Sequence, residues 1–192
     1  MKAEQRRAQV LAVARDVFAE KGYHAAKIDD IVARARVARG TFYLYFADKR
    51  SVFGELLDGL LAGLRQSIHR VDMDGTTSVE DQLRANVRRV LAILFEERAL
   101  TKILLSDAVG LDAGFDEKLL SFYDQIYAVI EGALAEGLRL GLVHSCDPAM
   151  AACVVVGSLK EIVYRGIFRR YYVSVDDAVN ALFDLHGRAF LS

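Results

Sequence analysis

Apolar residues recur at three- and four-residue intervals along almost the whole chain, and this spacing commits it to helices. Val10, Ala14, Val17 and Phe18 form a first stripe, closed by Gly22 at an expected glycine C-cap. Ile28, Ile31, Val32 and Ala35 form a short second stripe, with Asp29 and Asp30 in a first turn that favours negative charge. A third short helix holds Phe42 and Phe46, and a fourth runs from Lys49 to about Arg70. Ser78 and Asp81 predict the cap of a fifth. A shorter sixth extends to about Ala108, followed by a break at "VGLDAG" and a long seventh from about Asp116 to Leu140. Asp147 followed by Pro148 reads as N-cap then first helical residue of an eighth, reaching about Arg170. Ser174, with Asp177 three residues on, opens a ninth. No run alternates like a strand for more than a few positions, so the fold class is all-α with about nine helices.

Composition removes other classes. A chain of 192 residues, 53% hydrophobic and with one proline, suits packed helices. No apolar run reaches the roughly 18 residues of a membrane span, and the N-terminus lacks the apolar core of a secretory signal. Two cysteines make no disulfide framework, so a reducing cytoplasm is expected. "HSCD" at 144–147 lacks a second pair of metal ligands, Asp29 and Asp30 point about 100° apart on a helix, and no nucleophile elbow or phosphate-cradling glycine loop is present. The expectation is no enzyme, no metal and no cofactor.

Charge is uneven although the net is −1. Residues 1–50 carry 11 Lys and Arg against 6 Asp and Glu, and the rest reverses the balance, so an anionic partner is expected for the first quarter alone. Within it, two short helices joined by a tight turn after a longer helix form the helix-turn-helix pattern in "IDDIVARARVARGTFYLYF". Four of the five residues from Phe42 to Phe46 are aromatic. Phe42 and Phe46, four apart, share a face that turns to the Val17, Phe18 and Ile31 core. Arg39, Gly40, Tyr43 and Leu44 then point outward, with Thr41 and Tyr45 on the flanks. Arg39 suits guanine or phosphate, Gly40 lets backbone approach a duplex, and the hydroxyls donate to phosphate. Lys49 is expected to hold a phosphate at the start of the fourth helix.

These residues carry a resemblance. The segment from Val10 to Leu57 contains, in order, "FAEKGY", "IDDI", "V-x-x-GTFYxYF" and Lys49, and closely resembles the DNA-binding domain of TetR family repressors. The resemblance implies that Lys27, Arg39, Gly40, Thr41, Tyr43, Tyr45 and Lys49 lie at DNA-facing positions. It also implies a homodimer on a palindromic double-stranded DNA operator and a small-molecule effector in the body. The expected division is a helix-turn-helix domain at 1–48 and a helical ligand-binding and dimerisation bundle at 49–192. Three positions depart from the family pattern. Ala26 replaces a frequent Thr. Arg36 replaces the usual turn glycine and is expected to accept a glycine-like backbone, with a phosphate contact in return. Ala38 replaces a capping Ser or Thr.

In the body, Phe95, Tyr123, Ile126, Tyr127, Ile130, Tyr164 and Phe168 are either core or the lining of a pocket between helices. The nearly all-apolar "AMAACVVVGSL" needs cover on every side. With the last helix it suggests a dimer interface through Ala152, Val156, Leu159, Leu182 and Phe183. The most economical reading is a repressor released from DNA by a hydrophobic or amphipathic molecule. A ligand-independent or activating regulator, and an enzyme or carrier with an appended helix-turn-helix, are the alternatives.

Overall fold

The computed structural model describes residues 3–106, 113–169 and 174–190. Among them the chain forms α1 (Ala3–Lys21), α2 (Ile28–Ala35), α3 (Arg39–Tyr43), α4 (Lys49–Ser67), α5 (Val79–Glu96), α6 (Arg98–Ser106), α7 (Ala113–Arg139), α8 (Pro148–Phe168) and α9 (Val175–Phe190), and no extended strand. The fold is all-α, as the spacing dictates.

The helix ends show why the boundaries fall where they do. Gly22 adopts φ +77° after α1, and its N–H donates to the Phe18 carbonyl at 2.9 Å. The Ser78 and Ser174 hydroxyls accept from the N–H of Asp81 and Asp177, both at 3.0 Å, and Asp147 caps α8 ahead of Pro148. Helix α4 stops at Ser67, short of Arg70. The Ser67 hydroxyl donates to the Leu64 carbonyl at 2.8 Å, and Ile68 is extended. Helix α7 starts at Ala113, taking Gly114 into its first turn, while the rest of the expected break, at 109–112, and the expected end of the sixth helix at about Ala108 lie outside the described residues.

One continuous core joins the N-terminal helices to the body. It runs from Val10, Phe18, Ile31, Phe42 and Phe53 through Leu57, Leu91 and Ile103 to Phe122, Val163 and Val179. Helix α1 packs on α2, α4 and α6, and α8 packs on α5, α6, α7 and α9. Ion pairs bridge the seams: Arg7 with Glu55 between α1 and α4, Lys118 with Asp58 at 2.7 Å between α7 and α4, and Arg88 with Asp176 at 2.7 Å between α5 and α9.

The expected interface residues lie largely against the chain's own core. Ala152, Val156 and Leu182 are buried within the chain, and Leu159 and Phe183 pack against its core, with the Arg84 guanidinium 4.5 Å from the centre of the Phe183 ring. The side of α8 left open instead carries Met150, Cys153, Val154 and Gly157, and that of α9 carries Ala181 and Leu185. An apolar helix has more than one apolar stripe, and the chain's own core takes the one that holds Ala152 and Val156.

Candidate nucleic-acid interface

A helix of five residues does not hold itself together, because nucleation costs more than so few hydrogen bonds return. Helix α3 is instead fixed by Phe42 and Phe46, both buried and 5.7 Å apart between ring centres. Each contributes about 1.5–3 kcal/mol by leaving water. Below them Phe18, Tyr23 and Phe53 pack ring on ring, with Tyr23 and Phe53 4.8 Å apart.

The turn between α2 and α3 is a Schellman motif. Val37 N–H donates to the Val32 carbonyl at 3.1 Å and Arg36 N–H to the Ala33 carbonyl at 3.2 Å. The motif needs a left-handed residue, and Arg36 supplies it at φ 53° and ψ 46°, the single non-glycine residue with positive φ among those described. Its side chain is exposed. Val37 packs against the core beneath the turn. Ala38, the N-cap of α3, is extended and offers no side-chain acceptor.

The outer surface of α3 is built as the spacing predicts. Tyr43 is 46% exposed and Leu44 78% exposed, Arg39 and Gly40 are exposed, and Thr41 and Tyr45 are half-buried on the flanks. A Cβ built on Gly40 would meet nothing within 4 Å, so the space above its backbone is open. Lys27 is exposed at the N-cap of α2.

The acidic pair in α2 divides its work. Asp30 accepts from the Lys27 N–H at 3.0 Å and from Lys21 Nζ at 2.6 Å, and these hold its carboxyl below the usual carboxylate range. Asp29 reaches across the turn to α3, where its Oδ1 accepts from Arg39 Nη1 at 2.8 Å. A hydrogen bond with Tyr43 and the Asp29 charge raise the Arg39 pKa further.

Lys49, at the start of α4, is engaged by the chain itself. Its Nζ donates to the carbonyls of Tyr23 at 2.6 Å, Ala26 at 2.9 Å and His24 at 3.3 Å, and lies 4.5 Å from the centre of the Tyr23 ring. Its donors are directed inward, onto the chain between α1 and α2. Burial draws its pKa below the ordinary lysine value. The start of α4 is also capped, since Asp48 accepts from the Ser51 N–H at 2.7 Å. The signal for this role is absent from sequence spacing, because the acceptors are backbone carbonyls more than twenty residues upstream.

The expected pocket residues spread over the body interior. Phe95, Ile126 and Phe168 pack against the core, Tyr164 stacks on Phe168 at 4.6 Å, and Tyr127 and Ile130 are half-buried. Tyr123 has its pKa raised by burial, and Lys160 Nζ lies 4.7 Å from its ring centre. These residues line neither of two cavities seen at the surface. One, of about 660 Å³, lies on the outer face of α7 beside Leu120, Asp124 and Ala128. The other, of about 540 Å³, lies between the start of α4 and α7 beside Ser51, Asp58 and Lys118.

Comparison with known proteins agrees with this geometry. Residues 10–56 match the model of bacterial regulatory proteins of the tetR family, and residues 76–164 match that of the tetracyclin repressor-like C-terminal domain. An uncharacterized HTH-type transcriptional regulator of Bacillus subtilis, YdgC, is 27% identical over 165 residues, spanning 84% of this chain and 80% of that protein. A TetR-family regulator from Syntrophomonas wolfei superposes with a TM-score of 0.75 at 22% identity, over 97% of this chain and 95% of that one. The regulator FadR from Bacillus subtilis, solved with stearoyl-CoA, superposes with a TM-score of 0.72 at 21% identity, over 93% and 96%.

Proposed function

The chain belongs to the tetR family of bacterial regulatory proteins, and from that premise we propose that it is a homodimeric repressor released from a palindromic operator by a small amphipathic effector. It is a DNA-binding transcriptional regulator rather than an enzyme. The observation that carries the reading is α3, whose Phe42 and Phe46 are buried while Arg39, Gly40, Tyr43 and Leu44 face outward.

In this reading the helix-turn-helix domain comprises residues 1–48, and residues 49–192 form the effector and dimer bundle. Helix α3 enters the major groove, where Arg39 and Leu44 meet base edges and Tyr43, Tyr45 and Thr41 reach phosphates. Lys27 and Arg36 add phosphate contacts from either end of α2. Lys49 supports the interface from within, by fixing the chain that leads into α2. Two copies meet through the open sides of α8 and α9, around Val154 and Leu185, and set the two reading helices about 34 Å or a multiple apart. The protein works in the cytoplasm, where its DNA lies; no described helix is long and apolar enough to cross a membrane.

The effector reading rests on the aromatic and apolar side chains of Phe95, Tyr123, Ile126, Tyr127, Ile130, Tyr164 and Phe168, with Lys160 Nζ 4.7 Å from the Tyr123 ring centre. The related FadR holds stearoyl-CoA, so a long-chain acyl thioester is the first effector to test. An effector shifts the dimer only by its preference for one spacing over the other. Titrating acyl-CoA thioesters of increasing chain length into the protein bound to its selected palindrome tests this. Release at micromolar thioester supports the reading, and binding of thioester with unchanged DNA affinity contradicts it.

A further inference from the structure

Asp29 is an acid on the surface assigned to a polyanion, and its position has a use. Asp30 already caps α2 and pairs with Lys21. The Asp29 carboxylate turns instead to Arg39, ten residues on, and accepts from its Nη1 at 2.8 Å. A guanidinium carries five N–H donors in a planar fork. With one on Asp29, further N–H donors remain for the two acceptors of a guanine, O6 and N7.

We propose that Asp29 is a specificity-determining residue: it orients Arg39 toward a base edge and withholds it from phosphate. The inference rests on the reading of α3 as the DNA-reading helix. Both partners are more than half exposed, so water weakens their attraction in the free protein. Once a duplex displaces that water the same 2.8 Å contact strengthens, because the local dielectric falls. An unpaired Arg39 would swing to the nearest phosphate and bind every sequence alike. A paired one is already neutralised and gains most where two base acceptors complete its fork. Asp29 also repels phosphates, which lowers binding to DNA lacking that base.

The test uses the full-length protein and a pool of randomised double-stranded DNA. Wild type selects a duplex, and binding is then measured to that duplex, to each single-base-pair variant of it, and to a scrambled duplex. Arg39→Ala and Asp29→Ala are each expected to lose about tenfold discrimination at the same guanine in each half-site, and the double variant no more than either alone. Asp29→Asn, which keeps an acceptor oxygen, should retain part of it. Thermal melts establish that the variants are folded. Equal gains in affinity by Asp29→Ala for selected and scrambled duplexes, with discrimination intact, would mean simple repulsion and overturn the proposal. So would losses at different base pairs for the two variants, or an Arg39→Ala protein that discriminates normally. A wild-type protein that enriches no sequence removes the reading of α3 as well, which separates that failure from failure of the Asp29 role alone.

Discussion

Lys49 is held twice by Tyr23: its ammonium donates to the tyrosine carbonyl at 2.6 Å and sits 4.5 Å from the centre of the tyrosine ring. With the carbonyls of His24 and Ala26 it closes the chain between α1 and α2 against the start of α4. Lys49→Met keeps the length of the stem but leaves those carbonyls without their cation. A loss of about 1–3 kcal/mol in stability is expected, since hydrogen bonds to charged groups are the stronger kind. Chemical denaturation measures it. An unchanged denaturation midpoint would show that the three contacts contribute nothing.

Arg36 occupies a left-handed conformation, at φ 53°, that costs a residue with a Cβ about 1–2 kcal/mol. Arg36→Gly should therefore raise stability by about 0.5–1 kcal/mol after allowing for the greater freedom of an unfolded glycine. On DNA it should have the opposite value. If Arg36 meets a phosphate, the slope of log affinity against log salt becomes shallower by about one. Melting and salt titration of the same variant read the two effects separately.

Ala38 has the backbone of an N-cap, φ −68° and ψ 147°, with no side chain to use it. Ala38→Ser supplies an acceptor for the N–H of Thr41 or Gly40 and should stabilise the domain by about 0.5–1 kcal/mol. A melting temperature equal to or below that of wild type would mean that the local geometry does not accept the cap.

Leu185 is 72% exposed on the open side of α9, so Leu185→Asp removes nothing from the chain's own core. On the proposed dimer face it should convert the protein to monomers at micromolar concentration without lowering helix content. Sedimentation velocity and circular dichroism provide the two readings. A dimer that survives would place the two-fold elsewhere.

Much of this is legible in the sequence. Phe42 and Phe46 separate from Tyr43 and Leu44 by helical spacing alone, because a short helix docked on a core has one buried side. Ser78, Asp147 and Ser174 announce their caps because the partner of a cap lies two or three residues away. The strain at Arg36 follows from a turn that needs a left-handed residue where no glycine is present. The missed features depend on distant or backbone partners. Lys49 binds carbonyls, which every residue has and no sequence pattern marks. Leu182 on α9, and Ala152 and Val156 on α8, are buried in the chain's own core, and α8 is apolar on several sides. Only the packing of α5, α6, α7 and α9 around it shows which side the monomer keeps.

Gly40 gives the most direct test of α3 as the DNA-reading surface. A Cβ there meets nothing within 4 Å in the free protein, so Gly40→Leu should fold at least as well as wild type. Against a duplex the added side chain would stand where the helix backbone must approach the groove. The measurement is the affinity of wild type and Gly40→Leu for the selected palindrome at one fixed salt concentration. A melting temperature no lower than wild type is expected, with a loss of affinity of at least about tenfold, equivalent to about 1.4 kcal/mol. A well-folded Gly40→Leu protein that binds the palindrome as tightly as wild type would contradict this reading of α3.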